Sequence, residues 1–314
     1  MPKKNHFIGV DIGTFQIKAA EIKVLDNIPE VIALRSYPSP PGVWTDHFDE
    51  ESLVEGLRMV ANPQLKEVIT CIGGEKLISR VVRLPAEIND KELEITARFE
   101  LEKIVPMPLD QLIIEPVRLE DNAGSQKETP KTDKEKGQNV LLLAVPAATV
   151  YQYYSIFSRA GLVVTAIDLP AFALWRLFGQ DFSDTLAIVE IGANTTHFVV
   201  IKDNLIRFLR LLPVGGNMLI DEQLRSDALP IELLEITREL QMSLEYCSTQ
   251  ENLPAERLIL SGGTSKLKGL AAYLQEVLKL PVEEGIPAIS LPEGETFDPA
   301  YSVAIGLALR GTAR

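Results

Sequence analysis

The chain has 314 residues, 46% hydrophobic and 24% charged, with a formal net charge of −13. That composition suits a folded protein with room for two substantial cores. Its acidity argues against general nucleic-acid binding, which depends on Lys and Arg neutralising phosphates, and against direct docking on anionic lipid. Cys71 and Cys247, with the scattered His6, His47 and His197, make neither a disulfide framework nor a zinc spacing. They are read as structural, the cysteines as buried thiols in a reducing compartment. No apolar run approaches the roughly 18 residues of a membrane span. The opening Met-Pro-Lys-Lys-Asn-His carries no signal-peptide core, so work at a membrane is expected to go through a partner.

The first predicted element is a strand, tight turn and strand over Phe7 to Lys23. In the turn, Gly13 lets the backbone bend and present its N–H groups, and Thr14 adds a hydroxyl. N–H groups pointing into one concavity bind anions. Asp11 ends the first strand, where a carboxylate suits Mg²⁺ held through water, and Lys18 offers a point charge for a phosphate. The same stretch also reads as an ordinary hairpin with a Gly-Thr corner. Val31 to Tyr37 is a third strand, and Pro38 to Gly42 is a connector. A helix follows over Asp49 to Val60, capped by Asp49 or Ser52, then a strand over Val68 to Gly73. Strand, strand, strand, helix, strand is the start of a ribonuclease-H-like α/β layer.

Ile78 to Leu84 alternates as a strand. Asp90 to Ile104 is a helix with Leu93, Ala97, Leu101 and Ile104 in one stripe, stopped by Pro106 and Pro108. Glu100 lies on the margin of that stripe, either snorkelling or held by a partner. Leu112 to Leu119 and Asn139 to Val145 read as paired strands. The polar run Asp121 to Gln138 between them is a mobile hairpin tip. A helix between Pro146 and Gly161 shows an inner face of Val150, Tyr153, Tyr154 and Phe157. After the strand Val163 to Leu169, Pro170 leads into the helix Phe172 to Phe178. Pro85 to Asp168 is thus expected to be a compact insert.

The second half repeats the first. Val189-Glu190-Ile191-Gly192 matches Val10-Asp11-Ile12-Gly13 at a constant offset, and both copies end in Ile-Lys. A repeat this long implies two homologous halves offering a hairpin each to a shared cleft. Thr185 to Ile191, Thr195 to Lys202 and Leu205 to Leu212 form a meander with Asp203-Asn204 as a turn. Gly215 and Gly216 let backbone approach a ligand, or serve as a plain turn into a helix. After the helix Glu232 to Cys247 and the strand Arg257 to Leu260, Ser261-Gly262-Gly263-Thr264 puts bare backbone at the carboxyl edge of a sheet. The helix Leu267 to Leu278 follows, and Asp298-Pro299 caps the last helix, Tyr301 to Leu309.

With these glycine-bearing elements in this order, the chain resembles the actin-like ATPase superfamily. Within it the chain looks like the PilM family of type IV pilus assembly proteins, which is related to FtsA. The carriers are Arg98 to Pro106, Gly161-Leu162 before a strand, Leu258 to Gly263, and Val303 to Arg310. The implied fold is a duplicated actin-like α/β fold with an FtsA-type 1C insert and a reduced 2B subdomain. The implied divisions are 1–84 and 169–184 for subdomain 1A, 85–168 for 1C, 185–297 for the second domain, and 298–314 for a helix returning to the first.

The resemblance implies ATP with Mg²⁺ in the cleft. The first phosphate loop is then Asp11, Gly13, Thr14, Phe15, Gln16 and Lys18. The second is Glu190, Gly192, Ala193, Asn194 and Thr195. Gly215 and Gly216 lie beside the nucleotide, and Gly262, Gly263 and Thr264 form the adenosine loop. Asp11 and Glu190 serve the metal. The implied partner is the tail peptide of a PilN-like membrane protein, met by Tyr151 and Phe99 at a groove between the first subdomain and the insert. Other pilus assembly proteins join it, at the cytoplasmic face of the inner membrane. Two departures from the family pattern, Glu190 in place of Asp and a short Leu224 to Leu234 segment, imply at most a slow ATPase. A sugar kinase of the same superfold and an actin-like filament protein are the other readings. No acid is placed by motif as a kinase's general base.

Overall fold

The computed structural model describes residues 5–45, 48–74, 77–85, 87–119, 137–180, 184–217, 219 and 230–312. The expected polar tip falls outside them up to residue 136, the short 224–234 segment up to 229, and His47 entirely. The chain divides into two compact units, one of residues 1–73 and 154–314, the other of 74–153.

The first unit opens with β1 (His6–Ile12), β2 (Gln16–Leu25) and β3 (Ile28–Pro38), then α1 (Glu50–Val60) and β4 (Glu67–Cys71). After the second unit the chain re-enters it through β8 (Val163–Asp168) and α4 (Pro170–Phe178). Next come β9 (Leu186–Ile191), β10 (Thr196–Lys202), β11 (Leu205–Leu212) and α5 (Ile231–Thr249). The last elements are β12 (Arg257–Ser261), α6 (Leu270–Leu278), β13 (Val282–Glu284) and α7 (Ser302–Arg310). One five-stranded sheet has the order β3-β2-β1-β4-β8, the other β11-β10-β9-β12-β13. The second order is the first one repeated. Even the outer hairpin turns match: Asp26-Asn27 and Asp203-Asn204 all take positive φ, the twist-matched two-residue turn that Asp and Asn tolerate.

Between the sheets run α4 and α7. Ala20, Ile22 and Ile69 of one sheet and Leu186, Ile188 and Ile201 of the other join the helices in a single core. Val303 to Ala308 of α7 are all buried, as expected of a helix apolar on every side. The approach is backbone to backbone. A methyl group added at Gly9 of β1 would lie 2.1 Å from the Ala304 carbonyl oxygen of α7, and one added at Gly306 of α7 would lie 2.1 Å from that of Ala173 in α4. The buried Asp168 at the end of β8 ties both helices down. It accepts from Arg176 of α4 at 2.6 Å and pairs with Arg310 of α7 at 3.3 Å. On the far face of the second sheet, α5 and α6 close another core around Phe198, Leu240 and Leu274.

The second unit holds β5 (Ile78–Pro85), α2 (Asp90–Glu102), β6 (Leu112–Arg118) and β7 (Gly137–Pro146). Its antiparallel sheet has the order β5-β7-β6. Asn89 and Glu92 form a capping box at the start of α2, whose buried stripe of Leu93, Ala97 and Leu101 packs on Leu84, Val140 and Leu142. Glu100 has its partner in Lys103 at 2.7 Å. The chain leaves this unit within α3 (Ala147–Arg159).

Three details differ from the sequence reading. The strand β8, placed in the insert by its position in the chain, pairs in parallel with β4 in the first unit, because its side chains complete that sheet. On α3, Tyr154 is exposed and Ile156 is buried. The buried arc centres on Tyr153, and one residue is about 100° of helix. The short strand β13 beside β12 has too few residues to show a period.

Replacing Gly306 by Ala tests the backbone contact. A helical Gly→Ala change ordinarily gains about 1 kcal/mol, whereas overpacking costs about 1–3 kcal/mol. Urea unfolding is expected to show a net loss of stability. A gain would mean that the helices part without cost.

Candidate functional site

The repeat brings two hairpin tips to equivalent places at the ends of the two sheets. In the first, Asp11 of β1 pairs across the ladder with Lys18 of β2. In the second, Glu190 of β9 pairs with His197 of β10. Each tip closes with the same bond. Gly13 N–H donates to the Gln16 carbonyl at 3.1 Å, and Gly192 N–H to that of Thr195 at 2.9 Å.

Both tips are laced to the loops behind them through their carbonyl oxygens. Ser39 donates its hydroxyl to the Gly13 carbonyl at 2.6 Å and its N–H to that of Phe15 at 3.0 Å. The Trp44 indole donates to Ile12 at 3.2 Å. On the second tip the Gly192 carbonyl accepts from Gly216 N–H at 2.9 Å and from the Thr264 hydroxyl at 3.1 Å, while Asn217 N–H donates to the Ala193 carbonyl at 2.9 Å. In a trans peptide the C=O and the following N–H point opposite ways. The N–H groups of Thr14, Ala193 and Asn194 therefore aim away from these anchors, the arrangement that binds anions.

The glycines have no room for side chains. A methyl group at Gly215 would lie 2.4 Å from the Ala193 carbonyl oxygen, and at Gly216 2.2 Å from Cγ2 of Thr264. Gly262 has φ +89°, and a methyl there would lie 2.7 Å from Oε1 of Glu190. The turns 192–195, 215–217 and 262–264 are thus one laced cradle with the Glu190 carboxyl beneath it. Gly263 sits more openly, 3.8 Å from Cβ of Ala300 by the same measure.

Charge gathers at the first tip. Lys18 Nζ donates to Oδ2 of Asp11 at 2.8 Å, and the Cys71 thiol stands 3.9 Å from the other oxygen. Burial alone would lower the Lys18 pKa; the Asp11 charge and hydrogen bond outweigh it, and the net shift is upward. Burial pushes Glu190 up to about 7, with Lys18 pulling it down and Asp11 adding to the rise. Burial lowers His197 to about 4, against the pull of Asp11. Cys71 is pushed well above the ordinary thiol range by burial and by the Asp11 and Asp168 charges. At neutral pH the cluster holds an ion pair, a neutral imidazole and a neutral thiol, with a carboxyl near its midpoint.

The structure therefore brings Asp11, Lys18, Glu190, Gly192 and Gly262 together and joins Ala193, Gly216 and Thr264 to them by hydrogen bonds or contact. Phe15 turns its ring to solvent, 64% exposed. Phe99 and Tyr151 lie in the second unit on α2 and α3 and are both exposed, with the Lys103 ammonium 4.3 Å from the Phe99 ring centroid. Sequence reasoning missed Ser39, Trp44, Cys71, Asn217 and His197. The repeat offset that maps Asp11 onto Glu190 also maps Lys18 onto His197, so one of these five was within reach.

Two sheets of identical order, with glycine-bearing tips at corresponding ends, define an actin-like ATPase fold. A solved Bacteroides thetaiotaomicron protein described as having that fold matches at TM-score 0.50 and 9% identity, over 89% of this chain and 90% of that one. The family described as type IV pilus assembly protein PilM matches residues 9–232, and the chain belongs to it. The family of the cell division protein FtsA matches residues 187–306. FtsA of Neisseria meningitidis is 21% identical over 379 residues, covering 98% of this chain and 90% of its own. A chain of a solved PilM-PilN type IV pilus biogenesis complex matches at TM-score 0.80 and 25% identity, over 98% of this chain and 99% of that one.

The Glu190 carboxyl makes stability depend on pH. Its folded pKa of about 7 lies above the ordinary 4.5, so its contribution is whole at low pH and is lost as pH rises through 7. Urea unfolding of the ligand-free protein between pH 5 and pH 8 is expected to show this decline. Glu190→Gln should remove up to about 3 kcal/mol of it. Parallel profiles for the two proteins would contradict the assignment.

Proposed function

We propose that the chain is an ATP-binding scaffold of a type IV pilus assembly machine, cytoplasmic and held at the inner membrane by the tail of a PilN-like protein. The observation that carries the nucleotide reading is the pair of tips, one with Lys18 as a fixed cation and both with backbone N–H groups turned from their anchors. The adenosine end falls to Gly262, Gly263 and Thr264, and the phosphates to Gly13 through Lys18 and Gly192 through Thr195, with Phe15, Gln16 and Gly215 flanking. Among the described residues no three His, Cys, Asp or Glu side chains gather as a metal-ligand set. Magnesium that rides on phosphates needs only one or two carboxylates, and Asp11 and Glu190 supply them. When bound, the ion neutralises phosphate charge. The longer Glu190 side chain, beneath a laced cradle, supports slow turnover at most.

Support for the partner comes from the likeness to a chain of a PilM-PilN complex along nearly the whole length. No helix among the described residues is long and apolar enough to cross a membrane, and a membrane protein's tail would supply the anchor. A short extended tail gains affinity from main-chain hydrogen bonds and one or two pocketed apolar groups. The exposed Tyr151 and Phe99 are the proposed contacts, and the acidity of the chain favours a basic residue in the tail. Other pilus assembly proteins are further partners.

Calorimetry with Mg-ATP tests the cleft. Lys18→Ala is expected to weaken binding about 10- to 100-fold, the value of a charged hydrogen bond, with Asp11→Ala acting mainly when magnesium is present. No heat from the unaltered protein at millimolar Mg-ATP would refute the nucleotide reading.

The partner reading has its own test. Adding the N-terminal peptide of the cognate PilN-like protein to intact chain should shift amide signals in the second unit, and Tyr151→Ala should weaken the effect. Shifts confined to residues 205–247 would place the partner elsewhere.

A further inference from the structure

Each tip is held by the loop that follows the third strand of its own half. In the second half this is 213–217, and it holds with bare backbone. Gly216 and Asn217 donate their N–H groups to the Gly192 and Ala193 carbonyls, each at 2.9 Å, and no methyl group fits at Gly215. In the first half the loop is 39–45, and side chains take over much of the task. Ser39 gives its hydroxyl to the Gly13 carbonyl at 2.6 Å and its N–H to that of Phe15 at 3.0 Å. The Trp44 indole gives its N–H to the Ile12 carbonyl at 3.2 Å. One loop thus holds three carbonyls of the first tip.

The loop is built to deliver that indole. Pro40 and Val43 are buried and pin it. Val43 N–H donates to the Pro40 carbonyl at 3.2 Å and Thr45 N–H to that of Gly42 at 2.9 Å, where the Thr45 hydroxyl also donates, at 2.6 Å. Between these turns Trp44 takes φ +71°, a left-handed conformation that a bulky side chain adopts only under constraint. Asp26, Asn27, Asp203 and Asn204 take the same region at hairpin turns, where short polar residues tolerate it; a tryptophan has no such ease. Strained residues persist where their surroundings over-determine them, and they gather at functional sites. The Phe48 ring meets the indole edge to face at 5.5 Å.

Hydrogen bonds made through one peptide group polarise and strengthen each other. The Gly13–Thr14 peptide accepts from Ser39 on one side and turns the Thr14 N–H to the other. A ligand that takes this N–H therefore tightens the Ser39 bond, and Ser39 in place favours the ligand. Trp44 holds the preceding peptide, whose own N–H closes the tip onto Gln16.

Deepening the nucleotide reading and resting on it, we propose that Ser39 and Trp44 are positioning residues that aim the first tip at its anion, and that occupancy of the tip is felt at the Trp44 indole. Both act through the tip backbone. Neither is assigned a contact with the ligand or a chemical step.

Two measurements test this. Calorimetry with Mg-ATP compares the unaltered protein with Ser39→Ala, Ser39→Thr and Trp44→Phe, each checked for folding by its melting curve. Ser39→Ala and Trp44→Phe are expected to weaken binding about tenfold, the worth of one hydrogen bond. Ser39→Thr keeps the hydroxyl and should bind as the unaltered protein does. The second measurement is tryptophan emission. The chain has two tryptophans, and Trp175 is engaged elsewhere, its indole donating to the Asn204 carbonyl at 2.8 Å. Mg-ATP should change the emission of the unaltered protein and of Trp175→Phe, and leave that of Trp44→Phe unchanged. Affinity held in Ser39→Ala or Trp44→Phe, an emission change that survives in Trp44→Phe, or none in Trp175→Phe overturns the inference and leaves the nucleotide reading standing. An unaltered protein that takes up no Mg-ATP overturns the nucleotide reading itself.

Discussion

Where α7 crosses β1 there is no room for a side chain, and this close approach governs how the two sheets stand to each other. Gly9 and Gly306 let three backbones stack, strand on helix on helix, at distances a methyl group would forbid. A packed interior transmits such a constraint because it is as dense as an organic crystal. The stack fixes how near the two sheets stand. That in turn decides that Glu190, from the second sheet, falls within electrostatic reach of Lys18 and Asp11 from the first. Asp168, gripping one arginine from each helix, holds the same arrangement from the side. Breaking a buried pair of this kind costs about 3–5 kcal/mol, so the brace is as consequential as the stack.

The two tips have the same backbone and different charge. The first carries a fixed ion pair. Its cost of burial is offset by a short hydrogen bond, and the Lys18 ammonium stays charged across the physiological range. The second carries a carboxyl that burial leaves near its midpoint at neutral pH and an imidazole that burial keeps uncharged. The two tips thus differ in electrostatic character, one with a permanent cation and the other with adjustable hydrogen-bonding groups. On the proposed nucleotide reading, the neutral share of Glu190 and the Lys18 charge reduce the repulsion that Asp11 and Glu190 would exert on a phosphate.

Much of this was legible in the amino-acid sequence because it is local or repeated. The β10–β11 turn follows from Asp203-Asn204, α1 from its cap at Asp49, the α2 stripe from a helical period, and the first tip from Asp11, Gly13 and Lys18. The duplication was visible in four consecutive residues. The long-range pairings were less so. Nothing near Val163 to Asp168 tells which sheet β8 joins, since parallel partners are chosen by tertiary packing. Nor does Ser39 or Trp44 advertise that its donor will anchor a carbonyl many residues earlier. A buried group's partner is set by the fold, and burial also decides the charge states of Glu190 and His197, which residue type alone leaves open.

His197 shows what a repeat adds when it is carried past the residues that match. Dissimilar side chains at equivalent places are the informative ones: the backbone register is common, so the difference reports what each tip has to do. At Lys18 the side chain has a carboxylate to answer on its own hairpin, and a cation answers it. At His197 the carboxyl across the ladder lies under the Gly262 cradle, and the ring turns to Gly73 in the other half of the molecule. A lysine there would be a second buried cation beside Gly73 with no carboxylate of its own, an expensive placement. An imidazole left neutral by burial fills the same position with a donor and no net charge, which fits a site that already has its fixed cation in Lys18.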